Sequence, residues 1–141
     1  MGLILDTSAL VTIERAAESS TPLALEAEET HAIPVIVWAE ALIGVRMAAN
    51  AQRAARRLAR LEAIRRVTGL VDFTPLIAEH YADIFTELSQ QGSPIPQNDV
   101  AVAATARALG FGVLVGPKDE AHFRRVTGLE VKALATPSES P

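Results

Sequence analysis

Cysteine is absent from the chain, and with it every disulfide framework and every thiolate metal site. Aromatic residues are only 4% of the 141 residues, so any core has to be built from Ala, Leu, Val and Ile. Histidine is scarce too: His31, His80 and His122 are the full set, and no two are spaced as a metal pair on one helical turn. No apolar run approaches the ~18 residues of a membrane span. The opening Met1-Gly2-Leu3-Ile4-Leu5-Asp6 has neither the basic start nor the long apolar stretch of a signal peptide, so a cytoplasmic protein with no membrane attachment is expected. What remains is 49% apolar and 21% charged, a globular composition. The length suits one domain with its own core, expected over 1–134, with 135–141 as a disordered tail.

Thirteen Lys and Arg face 17 Asp and Glu, a net charge of −4 that disfavours a sequence-blind nucleic-acid binder. The distribution is more telling than the sum. Arg46, Arg53, Arg56, Arg57, Arg60, Arg65 and Arg66 are concentrated in one stretch with Glu62 as its only acid.

Gly2 to Leu5 is a continuous apolar run, predicting a strand buried on both faces. Thr7 or Ser8 can cap a following helix that starts with Ala9. A short helix is expected within residues 18–30, capped by Thr21 with Pro22 at its first position. His31 to Pro34 suits a strand, followed by helices over about Val35–Ala49 and Ala51–Arg66. The first of these begins with Val35-Ile36-Val37-Trp38, which is β-favouring by propensity. Leu70 to Phe73 is a candidate strand. Thr74-Pro75 opens a helix whose Leu76, Ile77, Tyr81, Ile84, Phe85 and Leu88 recur at three and four, predicting a buried face. After the Gly/Pro-rich loop at 91–96, Asn98 caps a helix that ends at Gly110. Val113–Val115 is a strand, Glu120–Val126 a short helix, and Gly128–Val131 a last edge strand. Short apolar strands alternating with helices predict an α/β fold with a largely parallel sheet.

Ligands of open parallel sheets bind beyond the carboxyl ends of the strands. Asp6 stands there after the first strand and Asp119 after Val113–Val115, while Asp99 opens the helix leading into that second strand. Glu40 sits among Trp38, Ala39, Ala41 and Leu42, where an unpartnered carboxylate is costly. Four acids at one sheet edge repel one another unless a cation joins them, and hard divalent ions prefer oxygen ligands. Each also has a plainer use. Asp6, Asp99 and Asp119 all fall at helix starts, where the dipole favours an acid. His122 beside Phe123 reads as packing or a surface contact.

Four blocks carry a resemblance. Leu3-Ile4-Leu5-Asp6-Thr7-Ser8-Ala9-Leu10 resembles the opening of PIN domains, specifically the VapC toxins of type II toxin–antitoxin pairs. Ile33 to Gly44, with Glu40 and a Gly four residues on, is similar to their second block. Asn98 to Ala106 resembles the third, and Asp119 to Val131 the ending. The resemblance implies a PIN-like three-layer fold, with a central, largely parallel sheet of about five short strands flanked by helices. It also implies an endoribonuclease dependent on Mg²⁺, with Mn²⁺ as substitute, whose metal is held by Asp6, Asp99, Asp119 and Glu40, the last directly or through water. RNA is the implied substrate, a cognate VapB-like antitoxin the implied partner, and a homodimer the implied assembly. One departure concerns the fourth acid: the family often has Thr two residues before it, and here that place holds Pro117.

Setting those four acids aside, 17 less 4 leaves 13 negative charges against 13 positive, so the acidity is concentrated in the implied site. Arg53, Arg56, Arg57 and Arg60 share a helical face by their spacing, suited to RNA phosphates, to the antitoxin, or to solvent opposite an Ala54, Leu58, Leu61 stripe. Two other functions stay open. A phosphotransfer hydrolase with a nucleophilic Asp6 would want an acid at position 8, which is Ser8. A non-cutting PIN-like module that only binds RNA or a partner is made conceivable by Pro117.

Overall fold

Two apolar tetrapeptides, Gly2–Leu5 (β1) and Gly112–Val115 (β4), lie side by side as parallel strands with every residue buried. The computed structural model describes residues 2–18 and 29–135. Between those strands in sequence come helix α1 (Thr7–Ala16), strand β2 (Thr30–Pro34), helices α2 (Val35–Arg46) and α3 (Ala51–Val67), strand β3 (Gly69–Val71), and helices α4 (Pro75–Gln90) and α5 (Gln97–Leu109). Helix α6 (Glu120–Arg124) and strand β5 (Val131–Ala133) follow. The five strands form one parallel sheet in the order β3-β2-β1-β4-β5, flanked by helices.

That order creates the place for a site. From β1 the chain builds outward through β2 and β3, then returns to lay β4 on the other side of β1. The loops leaving β1 and β4 therefore diverge, opening a crevice at the carboxyl ends of the two central strands. The backbone N–H of Asp6 donates to the carbonyl of Leu114 at 3.1 Å, which holds the exit of β1 against β4.

The core follows the aliphatic composition. Ile4, Leu5, Ile33, Val113 and Val115 from the sheet meet Leu10, Val37, Leu61, Ile84, Val100 and Val102 from the helices, with Phe123 the one fully buried aromatic ring. Tightly packed Ala103, Ala104 and Ala106 bring α5 close to β1 and β4.

Several local expectations need correction. Asp6, rather than Thr7 or Ser8, caps α1, which starts two residues earlier than Ala9. Helix α2 starts at Val35 as expected, its β-branched opening notwithstanding, but ends at Arg46, not Ala49. Pro96 rather than Asn98 occupies the cap position of α5. Strand β3 stops at Val71, α6 at Arg124, and β5 begins at Val131 instead of ending there. The backbone explains the last shift: Gly128 sits at φ 75°, a left-handed turn that only then releases the chain into the sheet. On α4 the buried residues are Ile77, Ile84 and Leu88, whereas Leu76 (54%) and Phe85 (41%) are exposed. Leu58 on α3 is likewise exposed, and Leu61 and Ile64 form the buried edge. The expected helix within 18–30 and all of the expected tail but Ala135 lie outside the described residues.

Candidate active site

Asp6 stands at the crevice between β1 and β4, only 4% exposed. Its Oδ1 accepts the N–H of Ala9 at 2.8 Å, and Ser8 Oγ donates to the same carboxylate at 2.7 Å. Burial pushes its pKa from 3.8 up to about 6, against the lowering effect of those two donors. The negative charges of Asp99 and Asp119 push in the same direction as burial. Asp6 therefore senses two of the other predicted acids across the crevice.

Glu40, half-buried on α2, has the partner its apolar neighbours demand. Thr7 Oγ1 donates to its Oε1 at 2.9 Å, so the residue after Asp6 holds the second acid. Asp99 lies in the first turn of α5, and Nδ1 of His122 meets its Oδ2 at 2.8 Å. Asp119 occupies the cap position of α6, where its side chain makes no capping bond.

The loop that carries Asp119 is tied to the opening of α1. The Gly116 N–H donates to Ser8 Oγ at 2.9 Å, and a Cβ on Gly116 would lie 3.1 Å from both Cβ and Oγ of Ser8. Any side chain there would press on Ser8, which would have to give by a few tenths of an ångström. One hydroxyl thus spans Asp6 and the exit of β4.

Among the described residues no three carboxylate or imidazole side chains close into a ready metal cluster. Asp6, Glu40 and Asp99 are each held by a separate donor. The donor chemistry fits a hard divalent ion: carboxylate oxygens, no thiolate, and a buried acid disfavoured by like charges that a cation would relieve.

Thr7, Ser8 and His122 are the residues that sequence reasoning underrated. For His122 a signal existed: it lies three residues after Asp119, on the same helical face.

The arginine stretch is used differently from its expected face. Arg57 Nε donates to Glu14 Oε1 at 2.7 Å, and Arg60 donates to Glu14 at 3.2 Å and to Glu18 at 2.5 Å. Arg65 lies 5.2 Å from the centre of the Trp38 ring. Arg57 and Arg60 are thus bound within the fold, while Arg53 and Arg56 stay exposed.

Comparison with known proteins agrees with this geometry. The PIN domain family model matches residues 3–129. The chain is similar to ribonuclease VapC1 of Rickettsia felis, at 31% identity over 137 residues covering 96% of this chain and 98% of that protein. It also resembles the solved structure of VapBC-5 from Mycobacterium tuberculosis, a member of the VapBC family of toxin–antitoxin systems. There the TM-score is 0.70 at 26% identity, with 96% of this chain and 98% of that one covered. VapBC2 from Rickettsia felis, bound to a DNA fragment from its promoter, shares the fold with a TM-score of 0.73 at 22% identity, covering 96% of this chain and all of that one. With a family model matched over residues 3–129 and a relative matched nearly end to end, on a five-stranded parallel sheet shared with solved VapBC structures, the chain belongs to the PIN domain family, in the VapC group.

Proposed function

We propose that the chain is a divalent-metal-dependent endoribonuclease toxin that hydrolyses RNA phosphodiester bonds and is restrained by a VapB-like antitoxin. The observation that carries this proposal is Asp6, a buried acid whose carboxyl is pushed up to about 6 by burial and by Asp99 and Asp119. Such an acid is costly to keep charged and gains most from a bound cation. Asp6, Asp99 and Asp119 would hold Mg²⁺, with Mn²⁺ as substitute, and Glu40 would contribute directly or through a water. The ion would supply activation of the attacking water and neutralisation of the phosphate charge that builds up in displacement.

The protein's own part is orientation. Thr7 donates to Oε1 of Glu40 and so fixes the orientation of that carboxylate, whose remaining lone pairs can accept from a water. Ser8 holds the Asp6 carboxylate and the Gly116 loop in one frame, so the acids before and after the crevice keep a fixed separation. A VapB-like partner is supported by the VapBC relatives. Its family also suggests a homodimer, supported by the exposed Phe73 and Phe85 that flank Tyr81. Among the described residues no helix is long and apolar enough to cross a membrane, and the cytoplasm is the proposed location.

The test is cleavage of end-labelled RNA by the purified chain with Mg²⁺ or Mn²⁺, and with EDTA. Cleavage that EDTA stops, and that Asp6→Asn and Asp99→Asn abolish while the fold is kept, is the expected result. Cleavage by Asp6→Asn at the wild-type rate would show that the site is misassigned. A non-cutting module that only binds RNA or its partner is the second reading. It is favoured by Pro117 ahead of Asp119 and by acids that do not close into a cluster among the described residues. RNA binding without any metal-dependent cleavage would establish it.

A further inference from the structure

His122 is the one imidazole at the crevice, and its contact is specific. Nδ1 lies 2.8 Å from Oδ2 of Asp99, across 23 residues and between two helices. A carboxylate only accepts hydrogen bonds, so Nδ1 carries the proton and the bond is charge-assisted. Its length is that of a strong pair, not of a loose surface contact. The ring's position is set by its neighbour: Phe123, next on α6, is 1% exposed and anchors the short helix in the core. Asp119 occupies the cap position of the same helix, so one short element and its cap carry the fourth acid and the donor to the third.

We propose that His122 is a positioning residue for the metal site: by holding Oδ2 of Asp99 it fixes that carboxylate, and with it the spacing between Asp99 and Asp119. The proposal rests on the four-acid site above. Acids that repel one another scatter unless each is tied, and a tied ligand loses less freedom when the ion arrives. Thr7 does this for Glu40 and Ser8 for Asp6. His122 is the matching donor for Asp99, with Oδ1 left to ligate.

The plainer role for the pair is a clasp between α5 and α6 that adds only stability. Position-specific replacement separates the two. Asn can place an N–H near where Nδ1 stood, whereas the longer Gln presents its N–H near the site of Nε2. Arg124→Ala removes the Arg124–Glu120 pair from the same helix without touching Asp99.

Mn²⁺ affinity of the purified full chain is the measurement, by calorimetry or by the paramagnetic signal of the free ion, with folding checked by circular dichroism. His122→Ala and His122→Gln are expected to weaken Mn²⁺ binding about tenfold or more. His122→Asn should recover most of it, and Arg124→Ala should stay within about twofold of wild type. Equal affinity in His122→Ala and wild type would overturn the proposal, as would equal losses in the Asn and Gln variants. A loss in Arg124→Ala as large as in His122→Ala would overturn it in favour of the clasp. A wild-type chain that binds no Mn²⁺ would instead overturn the metal site itself, and the positioning role with it.

Discussion

Arg57 fills the space that Gly44 leaves open: a Cβ at Gly44 would lie 3.1 Å from Nη1 of that guanidinium. Seated there, Arg57 reaches from α3 to Glu14 on α1, a carboxylate 1% exposed. Arg57→Ala removes the shorter of the two ion pairs to Glu14 and leaves only that of Arg60 at 3.2 Å. It should therefore destabilise by about 2 kcal/mol in chemical denaturation, the size of a lost hydrogen bond to a charged group. Exposed Arg53→Gln should change stability by less than about 0.5 kcal/mol. Equal, small effects for both would place Glu14 in contact with water.

Asp6 has the opposite sign from most acids in its effect on stability. Its folded pKa is raised from 3.8 to about 6, so between those values the folded state holds more proton than the unfolded state. Its contribution to stability is therefore greatest below about pH 4, falls as pH rises towards 6, and levels off above. In EDTA at pH 7, Asp6→Asn should raise the melting temperature, because burial no longer acts on a charge. The difference between variant and wild type should shrink as pH is lowered from 7 to 4. A variant less stable than wild type at pH 7 would mean that the bonds from Ser8 and Ala9 outweigh the burial.

Much of the frame could be read in advance because its signals are local. Gly2–Leu5 and Val113–Val115 are unbroken apolar runs, Thr74-Pro75 is a helix start, and Gly110 at φ 69° is the left-handed stop that its place after Leu109 suggests. Among the candidate acids, Asp6 and Asp119 stand out at the ends of those runs, Asp99 at a helix start, and Glu40 by its apolar neighbours, with the family resemblance joining the four. Their partners do not. Thr7 and Glu40 are 33 residues apart, Asp99 and His122 23, Glu14 and Arg57 43, and no local periodicity links such pairs. At Val35–Trp38 propensity favoured a strand, but Val37 and Trp38 gain burial on a helix instead.

Thr7 offers a test of orientation without a change of charge. Thr7→Val keeps shape and removes the donor to Glu40 Oε1. The turnover rate at saturating RNA should fall about tenfold, the size expected when a supporting hydrogen bond to an active-site acid is lost. KM should hardly move, because Thr7 supports an acid and makes no proposed contact with RNA. A rise in KM at unchanged turnover would put Thr7 in RNA binding instead.

Helix α4 shows why recurrence at three and four can mislead, and it allows a quantitative check. At about 100° per residue, Ile77, Ile84 and Leu88 fall within about 40° of one another on the helix surface. Leu76 and Phe85 lie roughly 80–100° to either side, at the margins of the stripe. The structure buries the centre and leaves the margins exposed. Ile84→Ala should thus cost about 2–5 kcal/mol, the range for a large aliphatic truncated in a packed core. Phe85→Ala should cost about 1 kcal/mol or less in the monomer. If the patch of Phe73, Tyr81 and Phe85 joins two copies, Phe85→Ala should show a second effect that depends on protein concentration, because association stabilises the folded chain by mass action. Unfolding curves at two widely separated concentrations, for wild type and both variants, distinguish these outcomes. A Phe85→Ala loss of about 3 kcal/mol that does not vary with concentration would put the ring in the core.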